Sequence, residues 1–390
     1  MQRNAAPVRE IETEPAGAPP GRGTDRTTID DVARALGLAK GTVSRALNGY
    51  PDISEATRAR VQRMAKRMGY LPLAHAQAIR TGRLRSLGLV LQIGEPDAQR
   101  PFLADFLAGV TEAASADSWS LTVATAQTEA ETRRVIARLA AERKADGFIL
   151  PRTETRDSRI AFLRRAGVPF VLFGRTGDET GCAWFDILGE DAIAQAVHRL
   201  HTLGHRRIGF VGAGARYHYN RLRLAGYRAA LADLGLPRSP ALEAGGAVTP
   251  EAGEAAAATL LAAPAPPTAL VCATDMAALG ACRAITRLGL RVGREVSVTG
   301  YDGIPEGAWA DPPLTTFEVD NRAAGARLAS LLIRRICGTA PEALRETAPA
   351  RLCVRGSDGP PALGPEALAA RLARPERCGE APFVNDTKGG

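Results

Sequence analysis

The chain has 390 residues and a formal net charge of +8, with 45% hydrophobic and 24% charged residues. This length predicts two or three domains, and the composition excludes wholesale disorder. No apolar run approaches the roughly 18 residues of a membrane-spanning helix, and the first residues lack the apolar segment of a secretion signal. We therefore expect a cytoplasmic protein with no membrane partner.

The six cysteines lie far apart, with no CxxC pair and no histidine at zinc-finger spacing, which is typical of reduced thiols. His198, His201 and His205 are close in sequence, but no fourth ligand lies near them. No Walker loop, GxSxG elbow or GxGxxG fingerprint occurs. The sequence thus predicts no metal, no cofactor, no catalytic residue and no enzymatic activity.

The positive charge is confined to one segment. Twelve lysines and arginines against four acids lie between Arg26 and Arg85, so this segment carries the whole net charge and the rest of the chain is neutral. Such asymmetry is typical of a module that binds a polyanion and is attached to a neutral body. A solvated basic face is the alternative, and it would not concentrate all of the excess charge.

A Pro- and Gly-rich stretch at 1–26, which we expect to be a disordered leader, precedes the helical part of this basic segment. Apolar residues at helical spacing predict three helices, near 29–36, 39–47 and 54–68. Thr28 can cap the first, with Asp31 three residues on, and Gly37 ends it; Ser54 can cap the third. The pattern at 29–49 is helix, glycine turn, helix.

The second helix would present short hydrogen-bond donors and an arginine opposite its apolar side. Donors of this kind at the start of a helix can read base edges in a major groove, and a glycine there permits close approach. A small helical hairpin without DNA contact is the alternative. The residues concerned are Lys40, Gly41, Thr42, Ser44 and Arg45.

From residue 86 onward, short apolar runs alternate with amphipathic stretches, which predicts an α/β fold with parallel sheets covered on both faces. Some 270 residues exceed one doubly wound domain, so we expect two, with a ligand cleft between them. Strands are predicted near 87–91, 121–124, 147–150, 170–173, 208–211, 270–273 and 296–300. Helices are predicted near 103–116, 129–143, 190–203, 221–234, 251–262 and 275–288, with a short one at 365–372.

These motifs resemble the LacI/GalR family of transcriptional regulators. The signature Asp-Val-Ala-x-x-x-Gly-Leu-x-x-x-Thr-Val-Ser-Arg-Ala-Leu-Asn-Gly spans 31–49, and the core carries His-Arg-Arg-Ile-Gly-Phe at 205–210 and Gly-Tyr-Asp at 300–302. The resemblance covers the chain to about residue 355. It implies a regulator, most often a repressor, that binds a palindromic operator as a homodimer and senses a small molecule in a core similar to periplasmic sugar-binding proteins.

The resemblance also implies a domain plan. A helix-turn-helix head at 27–72 is followed by a hinge helix or linker at 73–85 and an effector-binding and dimerisation core at 86–355. Within the core, the first subdomain is expected at about 86–186 plus 317–340 and the second at about 187–316. A tail follows at 356–390.

Besides the recognition helix, the resemblance implies four further DNA-contacting positions, three in the head and one in the hinge. Thr28, Asn48 and Tyr70 fall where phosphate-contacting or helix-positioning residues sit. Ile79 occupies the position of an apolar residue, usually leucine, that enters a minor-groove step. Residues 73–85 can alternatively be a plain linker.

In the core, the resemblance places Asp302 and Arg223 in the cleft, where a carboxylate and a guanidinium can bind the hydroxyls of a sugar. Thr274 and Asp275 follow one predicted strand, and Arg175 follows another. Asp275 can equally cap its helix, and Arg175 can be an ordinary surface charge. The expected partners are double-stranded DNA, a sugar effector and a second copy of the chain, with a purine as the alternative effector. A solute-binding protein would not need the helix-turn-helix head, and an α/β enzyme would need a catalytic motif that the sequence lacks, so both other functions are disfavoured.

Overall fold

The computed structural model describes residues 27–70, 83–94 and 100–373. The expectations for the leader at 1–26, for Ile79 and most of the hinge, and for the chain beyond residue 373 lie outside these ranges. The chain divides after Gly82 into two compact units. The first contains the head and the second contains the core.

The described part of the head, residues 27–70, contains the three predicted helices: α1 (Ile29–Leu36), α2 (Lys40–Leu47) and α3 (Glu55–Arg67). The Thr28 hydroxyl accepts from the Asp31 amide at 3.3 Å, and the Asp31 carboxylate accepts from the Thr28 amide at 2.9 Å, which forms the predicted capping box. Gly37 ends α1 in the left-handed conformation with φ of 65°. Buried side chains from all three helices, among them Val32, Val43 and Val61, form one small apolar core.

The core unit alternates strands with helices along the chain. Its strands are β1 (Ser86–Gln92), β2 (Ser120–Ala126), β3 (Gly147–Leu150), β4 (Phe170–Phe173), β5 (Ala183–Ile187), β6 (Ile208–Val211), β7 (Glu243–Ala244), β8 (Ala269–Cys272), β9 (Ser297–Thr299), β10 (Thr316–Glu318), β11 (Arg345–Ala348) and β12 (Arg351–Cys353). Its helices are α4 (Arg100–Ala116), α5 (Glu129–Ala141), α6 (Ser158–Ala166), α7 (Gly189–Thr202), α8 (His218–Asp233), α9 (Pro250–Leu261), α10 (Asp275–Arg287), α11 (Pro305–Ala308), α12 (Asn321–Ile336) and α13 (Pro365–Leu372).

The strands form two parallel sheets, which confirms the predicted fold class. The first has six strands in the order β11-β5-β4-β3-β1-β2, and the second has four in the order β7-β6-β8-β9. A short antiparallel pair, β10 with β12, completes the described strands. Separate apolar clusters cover the two faces of the first sheet, as parallel sheets require.

Helices α4 and α12 pack on one face of the first sheet. A Cβ atom at Gly109 would lie 2.0 Å from the Arg322 carbonyl oxygen, and one at Gly325 would lie 2.3 Å from that of Phe106. Glycine at both positions therefore lets the two helix backbones approach closely, so that Leu328 and Leu332 reach the sheet.

Two segments lie differently from the expected domain plan. Strand β11 pairs in parallel with β5 and so extends the first sheet beyond the range 317–340. Residues 357–373, which the sequence analysis placed in a tail, pack on the second sheet: Ser357 is buried and donates to the Val298 carbonyl at 2.6 Å, and Leu368 of the predicted helix α13 joins the apolar core. Only a few buried side chains hold this segment, and they produce no clear sequence periodicity.

Candidate functional site

Helix α2 has one buried and one exposed face. Val43 and Ala46 are fully buried against α1 and α3, whereas Lys40, Gly41 and Arg45 are exposed. A Cβ atom at Gly41 would meet no atom within 4 Å, so the start of the helix has open space in front of it. The exposed face can therefore approach a large partner closely. Thr42 and Ser44, also expected to contact DNA, are half-buried.

The charged side chains of this face are held by weak surface interactions. The Lys40 ammonium lies 2.8 Å from the Asp30 carboxylate. Arg45 pairs with Asp52, and 53% of the Arg45 side chain is exposed. Exposed ion pairs contribute typically about 0.2–1 kcal/mol, so phosphates or bases can replace these partners.

The remaining predicted head residues have structural roles. Thr28 caps α1, the Asn48 amide donates to the Ser44 hydroxyl at 3.3 Å, and half-buried Tyr70 packs against the head core. Arg58, which sequence reasoning did not assign a structural role, donates to the carbonyl oxygens of Tyr50 and Ile53 and so supports the loop between α2 and α3.

A cavity of about 980 Å³, including its open mouth, lies within the core unit. Its walls are formed where β3, β4 and β5 of the first sheet and β8 and β9 of the second reach their carboxyl ends, together with the starts of α7 and α8. This is the expected position of a ligand site in parallel α/β sheets. The structure brings Arg223, Thr274 and Asp302, three of the five predicted effector residues, into this one cavity.

Arg223 is fixed by aromatic rings. Its guanidinium carbon lies 3.7 Å from the centroid of the Tyr301 ring and 4.7 Å from that of Tyr219, and it donates to the Ala273 carbonyl oxygen. Only 9% of Arg223 is exposed. A cation enclosed in this way is held in one orientation at the cavity wall.

Asp302 is held in an unusual backbone conformation with φ of 129°, which L-residues rarely adopt. Its amide donates to the Phe317 carbonyl at 3.0 Å, and its own carbonyl accepts from the Val319 amide at 3.3 Å. Burial raises the pKa of Asp302 to about 7, against the lowering effect of Arg223. Strained residues and shifted pKa values concentrate at functional sites.

The raised pKa predicts a pH-dependent stability difference between the wild type and Asp302→Asn. The unfolded pKa of an aspartate is near ~4, so between about pH 4 and about pH 7 the folded wild type binds more protons than the unfolded chain and loses stability as pH rises. The asparagine variant lacks this loss. Relative to the wild type it should gain up to about 1.4 kcal/mol per pH unit in this window. Denaturant titrations of both proteins at about pH 5 and about pH 8 measure the difference; a constant difference would contradict the assigned pKa.

The structure corrects two expected contacts. Neither Asp275 nor Arg175 lines the cavity. Fully buried Asp275 accepts hydrogen bonds from the Gly303 and Ile304 amides at 2.8 and 2.9 Å and from the Thr316 hydroxyl, so it holds the loop that carries Asp302. Thr274, not Asp275, caps helix α10 by accepting from the Ala277 amide at 3.2 Å.

Arg175 lies behind the cavity wall. Its Nε donates to Asp186 at 2.5 Å and its Nη2 donates to Glu190, and both of these carboxylates line the cavity. Desolvation opposes the charged form of Arg175, but the two carboxylates outweigh it and raise the pKa of the guanidinium. Arg175 is therefore neither a cavity-lining residue nor an ordinary surface charge.

Sequence reasoning missed several residues of the cavity wall. Arg152 follows β3, Asp186 is in β5, Glu190 is the second residue of α7, and the rings of Tyr219 and Tyr301 enclose Arg223. The signal for Arg152 was its place two residues after an apolar strand, where side chains face the cleft. The other residues depend on contacts between distant parts of the chain.

Backbone hydrogen bonds join the two halves of the core beside the cavity. The His218 amide donates to the Thr153 carbonyl and the Thr155 amide donates to the Arg216 carbonyl, both at 3.0 Å. The guanidinium of Arg216 also lies 3.2 Å from Glu154. These contacts link the segment after β3 to the segment before α8.

Within the ranges described, no cluster of three or more histidines, cysteines or acids could hold a metal ion. His205 is instead buried and hydrogen-bonded to Thr268 at 2.8 Å and to Ser297 at 3.0 Å. None of the described helices is long and apolar enough to cross a membrane.

A helix-turn-helix head, together with a core of two parallel sheets whose cavity is lined by apolar, aromatic and charged side chains, defines a DNA-binding regulator with a small-molecule sensor. Comparison with known proteins agrees. Residues 28–72 match the bacterial regulatory proteins of the lacI family, and residues 197–357 match a periplasmic binding protein-like domain. The chain is 36% identical over 338 residues to the HTH-type transcriptional regulator AglR of Rhizobium meliloti (strain 1021), which covers 85% of this chain and 94% of that protein. The chain therefore belongs to the LacI family of transcriptional regulators.

Solved structures show the same relationship. The transcriptional regulator CelR in complex with cellobiose is 32% identical, covers 85% of this chain and all of its own, and superposes with a TM-score of 0.66. The lac repressor dimer bound to operator and the anti-inducer ONPF is 26% identical, covers 86% of this chain and all of its own, and superposes with a TM-score of 0.69. The family and fold class expected from the sequence are thus confirmed.

Proposed function

We propose that this regulator is a cytoplasmic homodimer without catalytic activity that represses transcription from a palindromic operator, and that a neutral sugar or glycoside in the core cavity controls its affinity for DNA. The observation that carries the proposal is the cavity wall, where buried charges of both signs, aromatic rings and apolar side chains meet. The domain plan, with β11 added to the first subdomain and residues 357–373 added to the core, and the DNA-contacting residues given above are part of the proposal.

The charges of the wall favour a neutral ligand. Two arginines, Arg152 and Arg223, and three acids, Asp186, Glu190 and Asp302, line the cavity, and Arg175 behind the wall pairs with Asp186 and Glu190 and so balances the extra acid. An anionic or cationic ligand would bring an unbalanced charge into this buried site, which is costly. Carboxylates and guanidinium groups can instead bind the hydroxyls of a sugar.

A sugar also fits the number of acceptors better than a purine does. Asp186 and Glu190 line the cavity, and an ionised carboxylate can only accept hydrogen bonds, so the ligand must supply donors to both. Asp302, with its pKa of about 7, can accept a hydrogen bond when ionised and donate one when protonated. A sugar carries a hydroxyl on most of its carbons, whereas a purine base carries few donors. The structure of CelR with cellobiose supports the same choice among relatives.

On the DNA side, we infer that α2 enters the major groove. Lys40, Gly41 and Arg45 are exposed there with open space in front, and Thr42 and Ser44 flank them. Arg45 can donate to a guanine in two places, which is the commonest specific base contact. Two heads of a dimer would read the two halves of the palindrome.

A ligand screen on the full chain tests the effector class. Cellobiose, maltose, trehalose, guanine and hypoxanthine are added singly, and the melting temperature of the core is measured. A ligand at 100 times its dissociation constant adds about 2.7 kcal/mol of stability. We expect a disaccharide to raise the melting temperature and to change operator affinity. Stabilisation by a purine alone would contradict the sugar assignment.

The hinge prediction is tested separately. Ile79→Ala should weaken operator binding without changing the melting temperature of the core, because the side chain is proposed to enter a minor-groove step of bent DNA. Ile79→Leu should bind nearly as well as the wild type. Equal operator affinity of wild type and Ile79→Ala at physiological salt would show that 73–85 is only a linker.

A further inference from the structure

Glu190 is an acid of the cavity wall that no part of the sequence pattern explains. It is the second residue of α7, and one of its two carboxylate oxygens, Oε1, accepts from Arg175. The other oxygen, Oε2, is shielded from solvent and accepts no hydrogen bond from any residue in the described part of the chain. A buried carboxylate oxygen without a donor is costly, and native structures rarely retain one without a reason.

A donor without a partner belongs to another residue of the same cavity wall. The Nε of Arg223 is also shielded and donates to no acceptor among the described residues. A Cβ atom on Gly189 would lie 2.9 Å from this Nε, so the donor sits against the residue that precedes Glu190. An acceptor and a donor, each without a partner among the described residues, thus belong to two residues that line one cavity, and the donor packs against the residue next to Glu190 in the chain.

We propose that Glu190 is a specificity-determining residue of the effector site, and that one ligand hydroxyl donates to its Oε2 and accepts from Arg223 Nε. A hydroxyl can do both at once, whereas a methylene or a hydrogen can do neither. The proposal rests on the proposed function and adds the residue that selects one hydroxyl of the sugar. Because both atoms are shielded, the hydroxyl enters as the two side chains separate.

Arg175 is the positioning residue for this acceptor. It donates to Asp186 through Nε and to Oε1 of Glu190 through Nη2, so it restrains the carboxylate of Glu190 and leaves Oε2 without a donor among the described residues. It does not itself line the cavity. Replacing it should therefore affect recognition of the same hydroxyl and of no other.

The test compares the wild type, Glu190→Gln and the control Glu342→Gln, in which an exposed glutamate outside the cavity is changed. The probe is cellobiose, or the disaccharide that stabilises the wild type in the screen, together with its monodeoxy analogues. Calorimetry on the full chain gives each dissociation constant, and melting temperatures verify folding. We expect Glu190→Gln to weaken binding of the parent sugar at least tenfold, and Glu342→Gln to bind normally.

The analogues separate hydroxyl recognition from a structural role. For the wild type, removing one particular hydroxyl from the sugar should weaken binding as much as the Glu190→Gln substitution weakens binding of the parent sugar. For Glu190→Gln, removing the same hydroxyl should weaken binding little further. Arg175→Gln should lose the same coupling, and Arg175→Lys should retain part of it. If Glu190→Gln folds poorly, Glu190→Asp, which keeps the charge, replaces it as the test variant.

Two results would overturn the proposal. One is parent-sugar affinity unchanged in Glu190→Gln with a wild-type melting temperature. The other is equal losses for every deoxy analogue in wild type and variant, so that no hydroxyl couples to residue 190. Failure of every sugar to bind the wild type would contradict the proposed function itself, and with it this assignment.

Discussion

Asp302→Asn should abolish the effector response while leaving operator binding in the absence of effector near the wild-type value. Asp302 lines the cavity in the core unit, whereas the exposed face of α2 belongs to the separate head unit. Loss of one buried hydrogen-bonding partner costs a polar ligand about 1–3 kcal/mol, so effector affinity should fall by roughly five- to 150-fold. Coupling between the sites is supplied only when the effector binds, so basal DNA affinity need not change.

Arg223→Ala should have the same effect on the effector and an added effect on stability. It removes a cation that touches two aromatic rings and leaves the Ala273 carbonyl without its donor, so the melting temperature of the core should also fall. For both variants, calorimetry measures effector affinity, and operator affinity is measured with and without the effector. Asp117→Asn, a substitution in an exposed turn, is the control. If both variants bind effector and respond normally, the site lies elsewhere; if both lose operator binding without effector, these residues serve the fold.

Arg45→Ala should remove most of the discrimination between operator and scrambled DNA. A bidentate arginine contact to guanine contributes about 1–3 kcal/mol of discrimination, which corresponds to roughly five- to 150-fold. Because its partner Asp52 is exposed, loss of the ion pair should hardly change the stability of the head.

The matched control for Arg45→Ala is Arg63→Ala, which removes the same charge from an exposed position on α3. It should reduce affinity for both DNAs alike through lost phosphate attraction. Arg58→Ala is a poorer control, since Arg58 supports the loop after α2 and its loss should destabilise the head. Equal loss of the specificity ratio in Arg45→Ala and Arg63→Ala would contradict the assignment of α2 as the reading helix.

The elements that the sequence predicted are those whose signal is local. The capping box at Thr28 and the apolar spacing of α1 to α3 specify the head, and the continuous apolar runs specify β1, β3, β4, β6 and β8. Strand β5 was missed because Asp186 interrupts its apolar run; that charge is tolerated only because Arg175, eleven residues away, pairs with it. Strand β11 was missed because it is short, charged and at the sheet edge.

The cavity could be predicted in outline and not in detail. Parallel strands direct the residues after them to one edge, which placed Thr274 correctly beside the cavity, and the family resemblance placed Asp302 and Arg223 there. The same rule cannot decide which of two successive polar residues faces a ligand, and Asp275 turns inward to hold the 303–304 amides. Arg175 and Glu190 meet only through folding, so their pairing leaves no pattern in the sequence.

The most direct test of the account is operator binding by the full chain with and without a sugar. An operator is first selected from random duplex DNA, and the affinity of wild type and Asp302→Asn for it is then measured by fluorescence anisotropy at physiological salt. We predict that a disaccharide changes wild-type affinity at least about fivefold, within the range usual for allosteric coupling, and leaves Asp302→Asn unchanged. Specific DNA binding that no disaccharide alters, or an equal response from Asp302→Asn, would contradict control of this regulator by a sugar in the core cavity.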